Sequence, residues 1–272
     1  MIQIILASAS LGNTEFMNAR PHGAPDLRSP TFSDFRNSLA AGWRDFIAAP
    51  LVDLFFASFF VLAGLVMAAI TYVTGTTFWL ILAVMGFPLV GTLCALGFYE
   101  VSRRRQAAEP LRLSEVISVV HQHLGGQLPW LAAIIIVTFL FWFFLGHMIF
   151  ALFLGLSPMT NISTSFGVFM TVEGVSMLAF GTMVGGFFAL FVFAISVMGM
   201  PMLLDRDLDF ITALLRSIAS VKAAPFHFVV WGATIAVLTL AAMVPVFLGL
   251  FVVMPVLGHA TWHLYSALIL SD

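Results

Sequence analysis

The lysines and arginines of this chain are confined to alternate gaps between its long apolar runs, and that pattern limits what the chain can fold into. Arg20, Arg28, Arg36 and Arg44 precede the first run; Arg103, Arg104, Arg105 and Arg112 follow the second; Arg206, Arg216 and Lys222 follow the fourth. The gaps after the first, third and fifth runs hold none. Apolar runs of ~20 residues are long enough to cross hydrocarbon as helices, and basic loops stay on the cytoplasmic side. The expected fold is all-α: six transmembrane helices in three tandem hairpins, with both termini cytoplasmic. The spans read as 51–71, 77–98, 129–152, 177–203, 226–243 and 246–267.

Composition agrees. Of 272 residues, 61% are hydrophobic and 9% charged, against ~25% charged in a soluble domain. Transmembrane barrels show alternating segments of ~10 residues, and none is evident. The few basic residues are interspersed with acids, which argues against nucleic acid as a partner. Cys94 lies inside an apolar run and is expected only to pack. Residues 1–32 read as a disordered cytoplasmic tail, without the basic start of a signal peptide and with Met17 as an alternative start to Met1. Residues 33–272 form the membrane domain.

That domain reads as three repeat units, approximately 33–105, 113–205 and 208–269. Pro50, Pro129 and Pro225 each open the first helix of a hairpin, where a missing N–H costs nothing. Pro88, Pro201 and Pro255 each fall inside the second helix, where the ring removes a hydrogen bond and predicts a kink. An amphipathic segment precedes each hairpin. In 33–47 the stripe is Leu39, Trp43, Phe46 and Ile47, with Ser33 as cap. In 114–124 it is Ile117, Val120 and Leu124, capped by Ser114 and stopped at Gly125-Gly126. In 208–222 it is Ile211, Leu214, Leu215, Ile218 and Val221, with Asp207 as cap. These three helices are expected to lie flat in the cytoplasmic interface.

Chemistry-bearing residues are few. Asp53 and Glu100, near the cytoplasmic ends of the first two spans, and Glu173, before the fourth, read as interface or loop carboxylates. The scarcity of charge within the spans argues against a proton- or ion-coupled pump. His259 and His263, at i and i+4, share a helix face. They lack the intervening Glu and third ligand of a metal site, so no metal, haem or other cofactor is assigned. Thr92, Asp205 and His259 each lie four residues after an internal proline, and with His263 they form a candidate polar cluster in which His259 shares a proton with Asp205. Gly181, Gly185 and Ala189 make a small-residue packing face. Trp43, Trp79, Trp130, Trp262, Tyr99 and Tyr265 read as interfacial anchors, and Asn161-Ile162-Ser163 as a weak glycosylation match. No catalytic residue is assigned.

The segments AGWRDFIAAP (41–50), GFPLVGTLCALGFYEVSRRR (86–105), PMLLDRD (201–207) and LGHATWHLY (257–265) together resemble a family of predicted bacterial integral membrane proteins of unknown function, over about residues 36–268. The resemblance implies a bacterial inner-membrane location and no mechanism. Some members carry the label cytochrome c oxidase subunit I-like. A haem-copper core needs more spans and more ligating histidines than this chain offers. The function expected is a non-enzymatic accessory or assembly component, packing against lipid, other membrane proteins or a second copy. The alternative is a transporter or channel for a small neutral or lipidic molecule, and the third reading is a haem or metal protein using His259 and His263.

Overall fold

The computed structural model of the chain describes residues 21–74, 80–155 and 167–270, with backbone alone for 80–90. Trp79 and Asn161-Ile162-Ser163 lie outside the described residues, as does the side chain of Pro88.

Helices α1 (Phe32–Ala48), α2 (Pro50–Thr74) and α3 (Leu80–Gln106) are followed by α4 (Leu113–Leu124), α5 (Leu128–Leu154), α6 (Val172–Ser196) and the one-turn α7 (Gly199–Asp205). Then come α8 (Phe210–Ala223), α9 (Pro225–Met243) and α10 (Leu250–Leu268). A short helix followed by two long ones thus occurs three times. Four stretches are long and apolar enough to cross a membrane among the described residues: Pro50–Thr74, Leu128–Leu154, Val172–Asp205 and Pro225–Met243, with hydropathies of 2.4, 2.4, 2.3 and 1.9. The second and sixth expected spans correspond to α3 and α10, whose apolar halves continue into polar ones carrying Arg103–Arg105 and His259–His263.

The prolines behave unequally. Pro50 and Pro225 begin their helices, and Pro129 lies in the first turn of α5. Pro201 ends the continuity of the fourth span: the Val197 carbonyl has no N–H to meet four residues on, and the chain parts at Val197–Met198 into α6 and α7. Helix α10 runs through Pro255, and α3 through position 88. The caps correct three expectations. Thr31, not Ser33, caps α1 in a reciprocal pairing with Asp34; Asp209, not Asp207, caps α8; and α4 begins after Arg112 with no side-chain cap.

The amphipathic helices divide their faces between the protein and its surroundings. In α1 the buried line is Phe35, Ser38, Gly42 and Asp45, while Trp43 and Ile47 of the apolar stripe face outward. In α8 the buried line is Ala213, Ser217 and Val221, with Ile211 and Leu215 outward; in α4 it is Val116 and Val120, with Ile117 and Leu124 outward. The buried lines thus mix small or polar residues with Phe35, Val116, Val120 and Val221, and the outward faces carry large apolar side chains. Helix α1 packs along the whole of α10. A Cβ on Gly42 would lie 2.5 Å from the Val256 carbonyl oxygen and 2.8 Å from the Ala260 nitrogen, so only glycine permits this approach.

Residues 21–31, expected within a disordered tail, are ordered. Backbone N–H groups of Arg28, Leu270 and Asp207 donate to Leu268, Asp26 and Pro21, at 2.9, 2.9 and 3.0 Å. These bonds tie the segment to the end of α10 and to the loop before α8.

Candidate functional site: a buried polar seam

The close approach of α1 and α10 places them beside the last turns of α3, and a line of polar side chains runs through the join. Asp45 of α1 is buried and accepts from three residues. His263 Nε2 and Ser102 Oγ each donate to Oδ2 at 2.7 Å, and Arg105 Nε donates to Oδ1 at 2.7 Å. Burial alone would raise the Asp45 carboxyl. The hydrogen bonds from His263, Ser102 and Arg105 outweigh it and hold the pKa at about 2.

Two tautomers follow from donor chemistry. The Trp262 indole, a donor only, points at Gln106 Oε1 at 2.9 Å, so the Gln106 amide nitrogen faces His263 Nδ1, also at 2.9 Å. His263 Nδ1 therefore accepts, and its proton sits on Nε2 toward Asp45. At His259, Nδ1 lies 2.9 Å from Ser102 Oγ and 3.0 Å from the Phe98 carbonyl oxygen. A carbonyl only accepts and the Ser102 hydrogen is directed at Asp45, so Nδ1 carries the proton. The other ring nitrogen, Nε2, lies 3.0 Å from Asp53 Oδ2, near enough for a charge pair and too bent for a hydrogen bond. His259, Asp53 and Ser102 are fully buried. Neither Asp53 oxygen receives a hydrogen bond among the described residues.

A second cluster fixes the end of α3. Glu100, fully buried, accepts from Arg103 Nε at 2.7 Å and from Arg104 Nε at 2.6 Å. Arg103 also bonds Glu109 at 2.9 Å, and Arg104 bonds Glu115 of α4. The Glu100 bond raises the Arg103 pKa above its ordinary value. The arginine run thus closes the α3–α4 turn around a buried acid.

The candidate cluster is only partly brought together. His259 and His263 enter the seam, but Asp205 does not reach His259. It accepts from the Tyr265 hydroxyl at 2.8 Å and from Arg206 at 3.3 Å. The chain break before Pro201 sends α7 to another face of α10, and the imidazole meets Asp53 instead. Thr92 is buried in α3. Tyr265 and Trp262, expected as interfacial anchors, are buried, whereas Trp43 and Trp130 face outward. Gly185 lies under the Trp142 indole, while Gly181 has open space where a side chain would be. Among the described residues no three His, Cys, Asp or Glu side chains gather as metal ligands.

Sequence reasoning missed Asp45, Ser102 and Asp53 as seam residues and Glu100 as the centre of the second cluster, and treated Asp53 and Glu100 as interface or loop carboxylates. The available signal was Asp53 itself, an acid one turn inside an apolar helix opened by proline. The helix N-terminus makes that position tolerable for a carboxylate.

Phe98 links the seam to an apolar crevice of about 190 Å³ where α2, α3, α6, α9 and α10 meet. Its walls include Phe60 of α2, Tyr99 of α3, Phe193 of α6, Ile235 of α9 and Met254 of α10. The hydroxyls of Ser196 and Thr261 there bond the carbonyls of their own helices, at 2.7 and 2.8 Å. On the other side of the seam, a polar cleft of about 360 Å³ is lined by Arg44, Asn37, Gln106 and His263.

Residues 80–205 match the model of a family described as Predicted integral membrane protein (DUF2189). The match covers α3 to α7, a shorter span than the 36–268 over which the resemblance runs. It includes Glu100, Ser102 and the arginine run, and stops short of Asp45, Asp53, His259 and His263. No curated protein matches the chain, and no solved structure does.

Proposed function

We propose that this predicted integral membrane protein crosses a bacterial inner membrane six times, with both termini cytoplasmic, and carries or presents a small lipidic molecule. The observation behind the second half is the crevice where α2, α3, α6, α9 and α10 meet. Its walls are apolar, and two of its hydroxyls are already satisfied by their own helices, so it favours a hydrocarbon chain over a polar solute. Pre-formed apolar sites between helices of repeat-built carriers are a general pattern, here used as analogy. The topology rests on the basic residues: those of α1, the α3–α4 turn and α8 fall on the side of the seam. Charged clusters at one end and apolar helices at the other suit a cytoplasmic face and a bilayer.

The expected role as an assembly component keeps one supporting observation, the open space at Gly181 and Gly186 of α6, which a neighbouring helix would fill. One experiment separates the two. Wild-type protein and Ala95→Leu, which fills the crevice, are extracted in native-lipid nanodiscs and analysed by mass spectrometry. The carrier reading predicts a hydrocarbon-bearing small molecule retained by the wild type and depleted in Ala95→Leu at unchanged thermal stability. Equal retention, or co-purification of protein partners alone, refutes it.

A further inference from the structure

We infer that the Asp53–His259 pair, between α2 and α10, binds one exchangeable proton, reached from the polar cleft through His263, Asp45 and Ser102. This goes beyond the carrier reading and stands without it.

The argument is one of proton counting. The Phe98 carbonyl and the Ser102 oxygen, whose own hydrogen is directed at Asp45, fix a proton on His259 Nδ1. If the imidazole held only that proton and Asp53 were ionised, a nitrogen lone pair would face a carboxylate oxygen at 3.0 Å in a fully buried site. An uncompensated buried charge of this kind is costly. A second proton removes it, either on Asp53 or on Nε2. In both cases the pair is neutral overall.

The surrounding charges leave that conclusion intact. Asp45 and Arg105 face the pair from α1 and α3 and form an ion pair with each other. Glu100 lies two residues from Ser102, on a different face of α3, and is held by Arg103 and Arg104. On α10, His263 is bonded to Asp45, and Tyr265 is bonded to Asp205, which pairs with Arg206. Asp53 is the one acid of α2, which contains no Lys, Arg or His.

The route is a chain of short hydrogen bonds as far as His259 Nδ1, with the 3.0 Å approach of Nε2 to Asp53 as its last step. His263, at the cleft, donates to Asp45; Ser102 bridges Asp45 and His259; His259 meets Asp53. For inward transfer, a proton from water in the cleft reaches Asp45 by way of His263. Ser102 takes a proton from Asp45 as it gives its own to Nδ1 of a ring that the preceding release has left with its single proton on Nε2, and the imidazolium so formed keeps that Nε2 proton or gives it to Asp53. Release runs in reverse, with no covalent intermediate.

The test uses full-length protein in nanodiscs with histidine ring nitrogens and aspartate carboxyls isotopically labelled. Magnetic resonance and infrared spectra at pH 7 should show either a doubly protonated His259 ring or a protonated Asp53 carboxyl. That signal should vanish in Asp53→Asn. A wild-type spectrum with neutral His259 beside ionised Asp53 overturns the site, and needs no variant to fold. The route is read from deuterium exchange of the same proton. Ser102→Ala should slow exchange by about tenfold or more, with Thr234→Val, whose hydroxyl bonds the Val230 carbonyl of its own helix, as control. Exchange equally fast in Ser102→Ala overturns the route.

Discussion

The α1–α10 seam and the α5–α6 hairpin join helices by opposite means. In the seam, Gly42 brings the backbones of α1 and α10 together, and buried polar side chains lock their register against α3. In the hairpin, contact is made by large rings: Trp142 over Gly185, Phe141 against Phe188 at 5.9 Å and Phe153 against Phe180 at 6.0 Å. The rest of that hairpin faces outward, as at Phe144, Leu152 and Phe187. Hydrocarbon surroundings solvate a phenylalanine as well as another helix does. Ring contacts between apolar helices therefore specify little, whereas a buried carboxylate tolerates one set of partners. The polar seam is where this chain spends stability to fix a unique arrangement.

That contrast orders the expected effects. Asp45→Ala should be the most damaging single change. It leaves Arg105, the buried Ser102 and the half-buried His263 without their acceptor, a loss of about 3 kcal/mol by analogy with broken buried pairs. Thermal unfolding in detergent would measure it, and a loss as small as that of a surface substitution would break the comparison. Gly42→Ala comes next, at about 1–3 kcal/mol for overpacking, because the added methyl meets backbone that cannot move aside. Its counterpart is Gly181→Ala. With open space at that position, the better helix former should leave stability unchanged or raise it by up to about 1 kcal/mol. Equal effects at the two glycines would erase the distinction.

The pH response is smaller and has a definite sign. The Asp45 carboxyl is held at about 2 in the folded protein, below the ~3.9 of an unfolded chain. Its contribution is full above the unfolded value and fades as pH falls from there toward 2. Melting temperature should drop across that window in the wild type, and part of the drop should be absent in Asp45→Asn. The smallest effect belongs to Gly185→Ala, where the added carbon would lie 3.2 Å from the movable Trp142 ring. A change within about 0.5 kcal/mol is expected, as for ordinary surface substitutions.

Much of the architecture was legible because hydropathy and proline placement act locally. Pro50, Pro129 and Pro225 marked helix starts, and the apolar runs marked the long helices, though α3 runs past its expected end to Gln106 and α6 stops short of its own at Ser196. The faces of the short helices were legible in part: Trp43, Ile47, Ile117, Ile211 and Leu215 of the apolar stripes point outward, while Val120 and Val221 are buried. An apolar stripe means a core-facing surface in water and an outward one beside hydrocarbon, and periodicity alone does not choose. The site was half legible. His259 and His263 stood out as a pair at helical spacing, but the acid opposite His259 was set by how α2 and α10 pack, 206 residues apart in sequence. Proline spacing pointed to Asp205 instead, and the parting of α6 from α7 before Pro201 carried it elsewhere. Asp45 and Ser102 carry no local signal, since their roles exist only once α1 lies on α10.

The measurement that bears most directly on the seam is a double-mutant cycle between Asp45→Asn and His263→Ala, read as unfolding free energy in detergent. The two side chains meet at 2.7 Å across 218 residues of sequence. If the seam locks α1 to α10, the two losses should be non-additive, with a coupling of about 1 kcal/mol or more. Losses that add within about 0.3 kcal/mol would mean that the pair contributes no mutual stabilisation, and would contradict the account.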